Sequence, residues 1–239
     1  MGAISKSDNH SISPLLIKAY RQASFVVLFQ DREIKLHIGR VSHELKAVMS
    51  DGGVTCAAFL TAFNPFSDAL SQEENEANQV KLVADLDALG VKCFPGAGRD
   101  DSDIWPEEPS ILVLGISLQN AEILADRYGQ NAFVWIANLD GLVSLRLRHP
   151  IAMPNLTEAE QWILGLPAHL QKPSRALPLS ELAWFMTVPE GELEHWLDPS
   201  TWNLNTPWPL ACPDGSAIGA GSELDRVFRL IAAGVQKFI

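Results

Sequence analysis

The residue types that come closest to chemistry sit in the stretch Cys56-Ala-Ala-Phe-Leu-Thr-Ala-Phe-Asn-Pro-Phe-Ser67. An apolar run ends there in Thr61, Asn64, Pro65 and Ser67, and a helix start follows at Ser71. Polar groups gathered at the end of a buried strand are common makings of a site in an open sheet. On that reading Thr61, Asn64, Ser67 and Asn75 form a polar pocket facing a helix N-terminus, whose N–H groups favour a carboxylate or a phosphate. The same residues also read as turn chemistry. Asn-Pro starts turns, Ser67 and Ser71 cap helices, and Asn75 satisfies the loop backbone. The two readings are compatible.

Three further groups extend the candidate site. Glu108 and Ser110 flank Pro109 at the entry to an apolar strand. Glu74 and Glu108 would make a carboxylate pair if the chain between them folds over the intervening helix, and such a pair serves as acid and base or holds a divalent ion. Glu74 reads equally as a capping residue, and no metal site is expected. Gln130 and Asn131 follow the helix-ending Gly129. They form either an amide pair aimed at a ligand or, more plainly, a tight helix-to-strand turn. Gly96-Ala-Gly98-Arg99 offers small residues and a guanidinium for an anion. It lacks the setting and the Lys of a P-loop, and Arg99 neighbours Asp100, Asp101 and Asp103. The six histidines fall on no serine or cysteine signature, and G-x-S-x-G is absent. No cofactor is called for.

Composition narrows the function classes. The 239 residues are 47% hydrophobic with a formal net charge of -11. A packed core is expected, and general binding to nucleic acid is not, because so acidic a chain repels phosphate backbones. The three cysteines cannot all pair within the chain, and they form no C-x-x-C or Cys/His cluster. A reducing compartment and no structural zinc follow. Met1 to His10 has no apolar signal core, and no stretch reaches the roughly 18 apolar residues of a membrane span. A cytoplasmic protein without membrane contact is the expectation.

The elements that must position these residues are marked by caps and breakers. Residues 1 to 13 read as a mobile leader, and Pro14 opens a helix to Ala23. Ser24–Gln30 and Glu33–Ile38 form a hairpin, and Ser42 caps a helix reaching Met49. Thr55–Thr61 is apolar throughout, the mark of a strand covered on both faces. Ser71 and Glu74 make a capping box for a helix to Leu89 with Val80, Leu82, Val83, Leu86 and Leu89 on one side, and Gly90 caps its end. Strands at Val91–Phe94, Ile111–Ile116, Asn131–Ala137 and Leu142–Arg148 follow. A long connection, Pro95–Ser110, separates the first two, and a helix capped by Ser117 separates the next two. Beyond Pro150 the chain is rich in Trp and Pro. Thr157 and Glu160 form a capping box, Ser180–Met186 and Pro189–Leu197 read as helices, and Ser222–Phe238 as a final amphipathic helix. The pair of short helices has helix-turn-helix length, but Glu190, Glu192 and Glu194 exclude a DNA-reading role.

From about Tyr20 to Leu147 the chain resembles a bacterial family known as domain of unknown function 3293. The matching pieces are Ala19-Tyr20, Ile38-Gly39 with Ser42, Thr61-Ala62-Phe63-Asn64-Pro65-Phe66-Ser67, Ser71 with Glu74-Asn75, Trp105-Pro106-Glu107-Glu108-Pro109-Ser110, and Gly129-Gln130-Asn131-Ala132. The resemblance implies a shared fold and brings no activity with it.

The element order is that of an α+β fold, a ferredoxin-like βαββαβ core with an extra N-terminal helix and hairpin, followed from residue 151 by a mainly helical region. A doubly wound α/β sheet is the alternative. Two functions are expected to compete. One is binding of a small polar or anionic metabolite at the Asn64 loop. The other is a noncatalytic interaction or regulatory role, with a protein partner docking on the Trp-rich region 151–239.

Overall fold

A computed structural model describes residues 10–99, 106–137, 141–175, 177–189, 192–193 and 210–211. Helix α1 (Pro14–Gln22) has its proline in the first turn. Strands β1 (Ser24–Phe29) and β2 (Arg32–His37) form the expected hairpin. Helix α2 (His43–Asp51) starts at Ser42, whose side chain accepts from the Leu45 N–H. Strand β3 (Cys56–Leu60), a 3-10 turn (Pro65–Ser67), α3 (Gln72–Ala88), β4 (Lys92–Arg99), β5 (Glu108–Leu114), α4 (Leu118–Arg127) and β6 (Ala132–Ala137) make the centre of the chain. Strand β7 (Val143–Leu147) precedes α5 (Leu156–Gly165), α6 (Ala168–Arg175) and α7 (Leu179–Phe185), and β8 (Leu210–Ala211) returns to the sheet.

The architecture is mixed α/β around one sheet in the order β2-β1-β4-β5-β3-β6-β7-β8. Every neighbouring pair is antiparallel except β7 with β8. A doubly wound parallel sheet is thereby ruled out.

Strand periodicity sorts the core into two layers. Ala57, Phe59, Leu112, Leu114, Val134 and Ile136 point to one face, where Ile17 of α1 and Leu45, Val48 and Met49 of α2 cover them. Ala58, Leu60, Ile111, Val113, Phe133 and Trp135 point to the other, under Leu82 and Leu86 of α3 and Ala121, Leu124 and Ala125 of α4. Both faces of β3 are buried, as its unbroken apolar run predicts.

The region past Pro150 contributes to the first layer. Leu166, Leu170, Trp184, Phe185, Val188 and Leu193 join the same buried cluster as Ile17 and Phe59. Arg21 of α1, 6% exposed, ties this region down by donating to the Thr187 carbonyl at 3.3 Å and pairing with Glu192 at 3.3 Å. Trp184 is therefore core. Trp196, Trp202 and Trp208, the final amphipathic helix and all but Pro189, Glu192 and Leu193 of the expected helix Pro189–Leu197 lie outside the described residues.

Several boundaries differ from expectation for physical reasons. The start of the Pro95–Ser110 connection is not a loop. Residues 95–99 extend β4 and pair with β1 on one side and β5 on the other. Gly96 is needed there for close approach: a Cβ would lie 2.5 Å from the Val26 carbonyl oxygen and 2.7 Å from the Phe59 ring. The apolar stripe of α3 is narrower than its composition suggests. Leu82 and Leu86 are buried, while Val80, Val83 and Leu89 face solvent. The capping box of α5 is made by Asn155 and Glu158, not by Thr157 and Glu160, since Asn155 already satisfies the first turn. Helix α6 forms although it contains Pro173. Of the leader, residues 10–13 are docked. Ile12 is buried and donates its N–H to the Pro150 carbonyl at 2.9 Å. Residues 1–9 lie outside the described residues.

Among the described residues no helix is long and apolar enough to cross a membrane.

Candidate functional site

The chain leaves β3 at Leu60 through a turn held in an unusual conformation. Asn64 (φ 46°), Phe66 (φ 58°) and Ser67 (φ 61°) all adopt left-handed backbone. Among the described residues only Gln30, in the β1–β2 hairpin, shares this property without being glycine. Asn tolerates that region; a bulky side chain does so at a cost of about 1–3 kcal/mol each, and such strain concentrates at functional sites.

Buried amides hold the turn. Asn64 N–H donates to Asn75 Oδ1 at 2.7 Å, and Asn75 Nδ2 donates back to Asn64 Oδ1 at 2.9 Å. Asn64 Oδ1 also accepts from the Leu70 N–H at 3.1 Å, and its Nδ2 donates to Glu108 Oε1 at 2.6 Å. Gln130 Nε2 donates to the Phe63 carbonyl at 3.0 Å, and Phe66 N–H donates to the Gly129 carbonyl at 2.6 Å. Thr61 Oγ1 donates to the Pro109 carbonyl at 2.8 Å and accepts from the Phe63 N–H at 3.1 Å. Ser110, buried, donates to the Glu108 carbonyl at 3.0 Å. Strand β5, α3 and the α4–β6 turn thus all hold the exit of β3.

What the turn presents is a hydroxyl and amide cluster. Ser67 Oγ lies 2.6 Å from the Tyr20 hydroxyl. Asn131 Nδ2 donates to both, at 3.1 Å to Ser67 and 3.3 Å to Tyr20. His10 Nε2 donates to Asn131 Oδ1 at 2.7 Å, and the His10 ring stands edge-on to Phe66 and His149, 5.1 and 4.6 Å between centroids. Burial pushes the pKa of the Tyr20 phenol above its ordinary value; the hydrogen bonds with Ser67 and Asn131 pull it down, and the Glu108 charge pushes it up again. Tyr20 therefore stays protonated near neutral pH.

Of the nine residues read from the sequence, eight surround this turn: Thr61, Asn64, Ser67, Asn75, Glu108, Ser110, Gln130 and Asn131. Arg99 does not join them. Its guanidinium pairs with Glu107 at 2.8 Å and Glu33 at 3.7 Å. Its Gly96-Ala97-Gly98 cradle is strand, with backbone committed to the ladder. The first turn of α3 holds its own acid. Glu74 accepts from the Ser71 hydroxyl and N–H, which lowers its pKa, and Ser71 accepts from the Glu74 N–H. Glu74 and Glu108 therefore work apart, one as a cap and one on Asn64. Among the described residues no three His, Cys, Asp or Glu side chains gather as metal ligands.

Tyr20, His10, Phe66 and His149 were not singled out by sequence reasoning about chemistry. Ala19-Tyr20 carried a signal only as part of the family resemblance.

The fold and site define a mixed α/β protein with an antiparallel sheet and a strained, amide-held turn at the end of a central strand. Residues 60–133 match the family described as a protein of unknown function, DUF3293, so the chain carries the segment that its sequence resembles. The match runs from the end of β3 into β6 and contains all nine expected site residues, whereas Tyr20 lies before it. No curated protein and no solved structure matches the chain.

Proposed function

We propose that the protein binds a small polar metabolite on the face formed by Tyr20, Ser67, Asn131 and Glu108. The observation that carries this reading is the left-handed backbone at Asn64, Phe66 and Ser67, which brings Ser67 Oγ to 2.6 Å from the Tyr20 hydroxyl. A fold that needed only to reverse direction after β3 has cheaper turns available. The amides of Asn64, Asn75 and Gln130 hold the turn, and Asn131 sets the hydroxyls of Ser67 and Tyr20 where they can orient a ligand. An anion is the weaker candidate, because Glu74 already caps α3 and Arg99 is paired elsewhere.

The central strands read as a ferredoxin-like unit. Their order, β4-β5-β3-β6, with α3 and α4 as the two crossovers, supports it. A cytoplasmic location agrees with the free thiols of Cys56 and Cys93.

The test is a thermal-shift screen of the whole chain against small polar metabolites, repeated with Ser67→Ala and Tyr20→Phe. A ligand at a hundred times its Kd stabilises the native state by about 2.7 kcal/mol. Hits that raise the wild-type Tm should lose most of their effect in both variants. Equal shifts in wild type and variants would place binding elsewhere and end this reading.

A further inference from the structure

We infer that the ligand carries a primary ammonium group, which Glu108 recognises beside the hydroxyls of Tyr20 and Ser67. This rests on the binding reading above and names its chemical class. Glu108 is half-buried, and one of its oxygens accepts from Asn64 Nδ2 at 2.6 Å. Among the described residues no Lys, Arg or His lies within ion-pair distance of it. That contrasts with the neighbouring acids of the same fold. Glu107 holds Arg99 at 2.8 Å, Asp85 holds Arg127 at 2.7 Å, and Glu122 holds Arg146 at 3.0 Å. A partly buried carboxylate without a cation leaves much of its charge uncompensated.

The surroundings fit an ammonium better than other polar groups. An ammonium has three donors and no acceptor. Glu108 accepts from Asn64, and Ser67 of the same turn bonds Tyr20, so all four belong to one locality. The Tyr20 and Ser67 hydroxyls bond each other at 2.6 Å and both accept from Asn131 Nδ2, which leaves one lone pair between them. That lone pair and the free Glu108 oxygen are the acceptors that an ammonium would meet. A phosphate or carboxylate ligand would meet the Glu108 charge with no compensating cation. A guanidinium asks for a planar, bidentate acceptor, and one Glu108 oxygen is already engaged.

The experiment uses the full-length protein and isothermal titration at neutral pH with three probe sets. Putrescine and ethanolamine supply the ammonium, butanol and ethylene glycol supply hydroxyls alone, and inorganic phosphate and acetate supply anions. Each set is repeated with Glu108→Gln, which keeps an oxygen for Asn64 Nδ2 and removes only the charge, and with Ser67→Ala. The expected result is binding by the amines, weakened roughly tenfold or more in Glu108→Gln. Amines that bind Glu108→Gln as tightly as wild type overturn the inference. Alcohols or anions that bind in a Ser67-dependent way while amines do not overturn it too, and leave the binding site standing. Failure of every probe removes both.

Discussion

Asn64 and Asn75 face each other across 11 residues of chain, the Asn75 side chain accepting from the Asn64 backbone N–H at 2.7 Å and donating to the Asn64 side-chain oxygen at 2.9 Å. Asn75 is 4% exposed, so its partners have little access to water. Asn75→Ala removes the acceptor for the Asn64 N–H and the donor to Asn64 Oδ1, and leaving a buried polar group unmade costs about 1–3 kcal/mol. The variant should lose about 1–3 kcal/mol in urea unfolding, because the Asn64 N–H is left unmade while Asn64 Oδ1 keeps the Leu70 N–H. Asn75→Asp keeps the acceptor and forfeits the donor, so it should fall between wild type and Asn75→Ala. A variant as stable as wild type would mean that the turn holds its left-handed backbone without this pair.

A second tie joins α3 to α4. Asp85 accepts from the Tyr128 hydroxyl at 2.6 Å and from Arg127 at 2.7 Å. The Tyr128 hydrogen bond, helped by Arg127, holds the Asp85 carboxyl below its ordinary pKa against the opposing effect of burial. A carboxylate lowered in the folded state contributes stability above its unfolded value near 4, and this contribution disappears as pH falls through the folded value. Wild type should therefore exceed Asp85→Asn in stability at pH 7 and converge with it in acid. Tyr128 moves the other way: burial and the Asp85 contact push the pKa of its hydroxyl well above the ordinary range. Its contribution is present below about pH 10 and lost as pH rises toward the folded value. Tyr128→Phe should flatten the alkaline arm of the stability curve. Parallel pH curves for all three proteins would show that the tie contributes nothing through titration.

Much of this fold was legible because short-range chemistry marks it. Ser42, Ser71 and Ser117 cap the helices that they were expected to cap, and Pro14 opens α1. The strand β3 was legible from apolarity on both faces. What failed depended on partners distant in the chain. Gly96 and Gly98 look like loop residues until Phe59 and Phe25 pack over them. Val80 and Val83 look like core until the helix settles on Leu82 and Leu86. At the turn, Thr61, Asn64, Ser67 and Asn75 were legible as polar residues at or just past the end of an apolar run, while Glu108, Gln130 and Asn131 meet it from other elements. Tyr20 and His10 were not legible, since they reach Asn131 from 111 and 121 residues away. No pattern in a single sequence records such a distance.

Two glycines separate backbone conformation from packing. Gly90 has φ +65°, and a Cβ there would meet nothing within 4 Å. Gly90→Val should cost about 1 kcal/mol, from the left-handed backbone alone. Gly96 has no left-handed strain, but its Cβ would collide with the Val26 carbonyl and the Phe59 ring. Because backbone in a central ladder cannot give way cheaply, Gly96→Ala should cost more than Gly90→Val, about 2–3 kcal/mol on the scale of overpacked cores. Urea midpoints at constant m-value would check the ranking. A reversed order would mean that β4 can move away from β1.

The last prediction concerns the region past Pro150. Phe185 and Trp184 are nearly fully buried beside Ile17, Val27 and Phe59, so they seal the layer of the sheet that α1 and α2 leave open. Arg21 fixes the arrangement through its bonds to the Thr187 carbonyl and Glu192; burial lowers the pKa of its guanidinium, and the Glu192 charge offsets that effect. A chain cut after residue 150 would expose this apolar face to water, and each large side chain left unpacked costs on the order of 3 kcal/mol. With a typical domain stable by only about 5–15 kcal/mol, the cut chain should aggregate or remain unfolded by circular dichroism. Phe185→Ala in the full chain should lower stability by about 3–5 kcal/mol. If the cut chain instead gave a cooperative transition and Phe185→Ala left the melting curve unchanged, the region would be an attachment to a sheet that folds alone. A surface for partners past Pro150 would then regain its appeal, whereas a seal over Phe59 and Ile17 confines any docking to residues outside this buried layer.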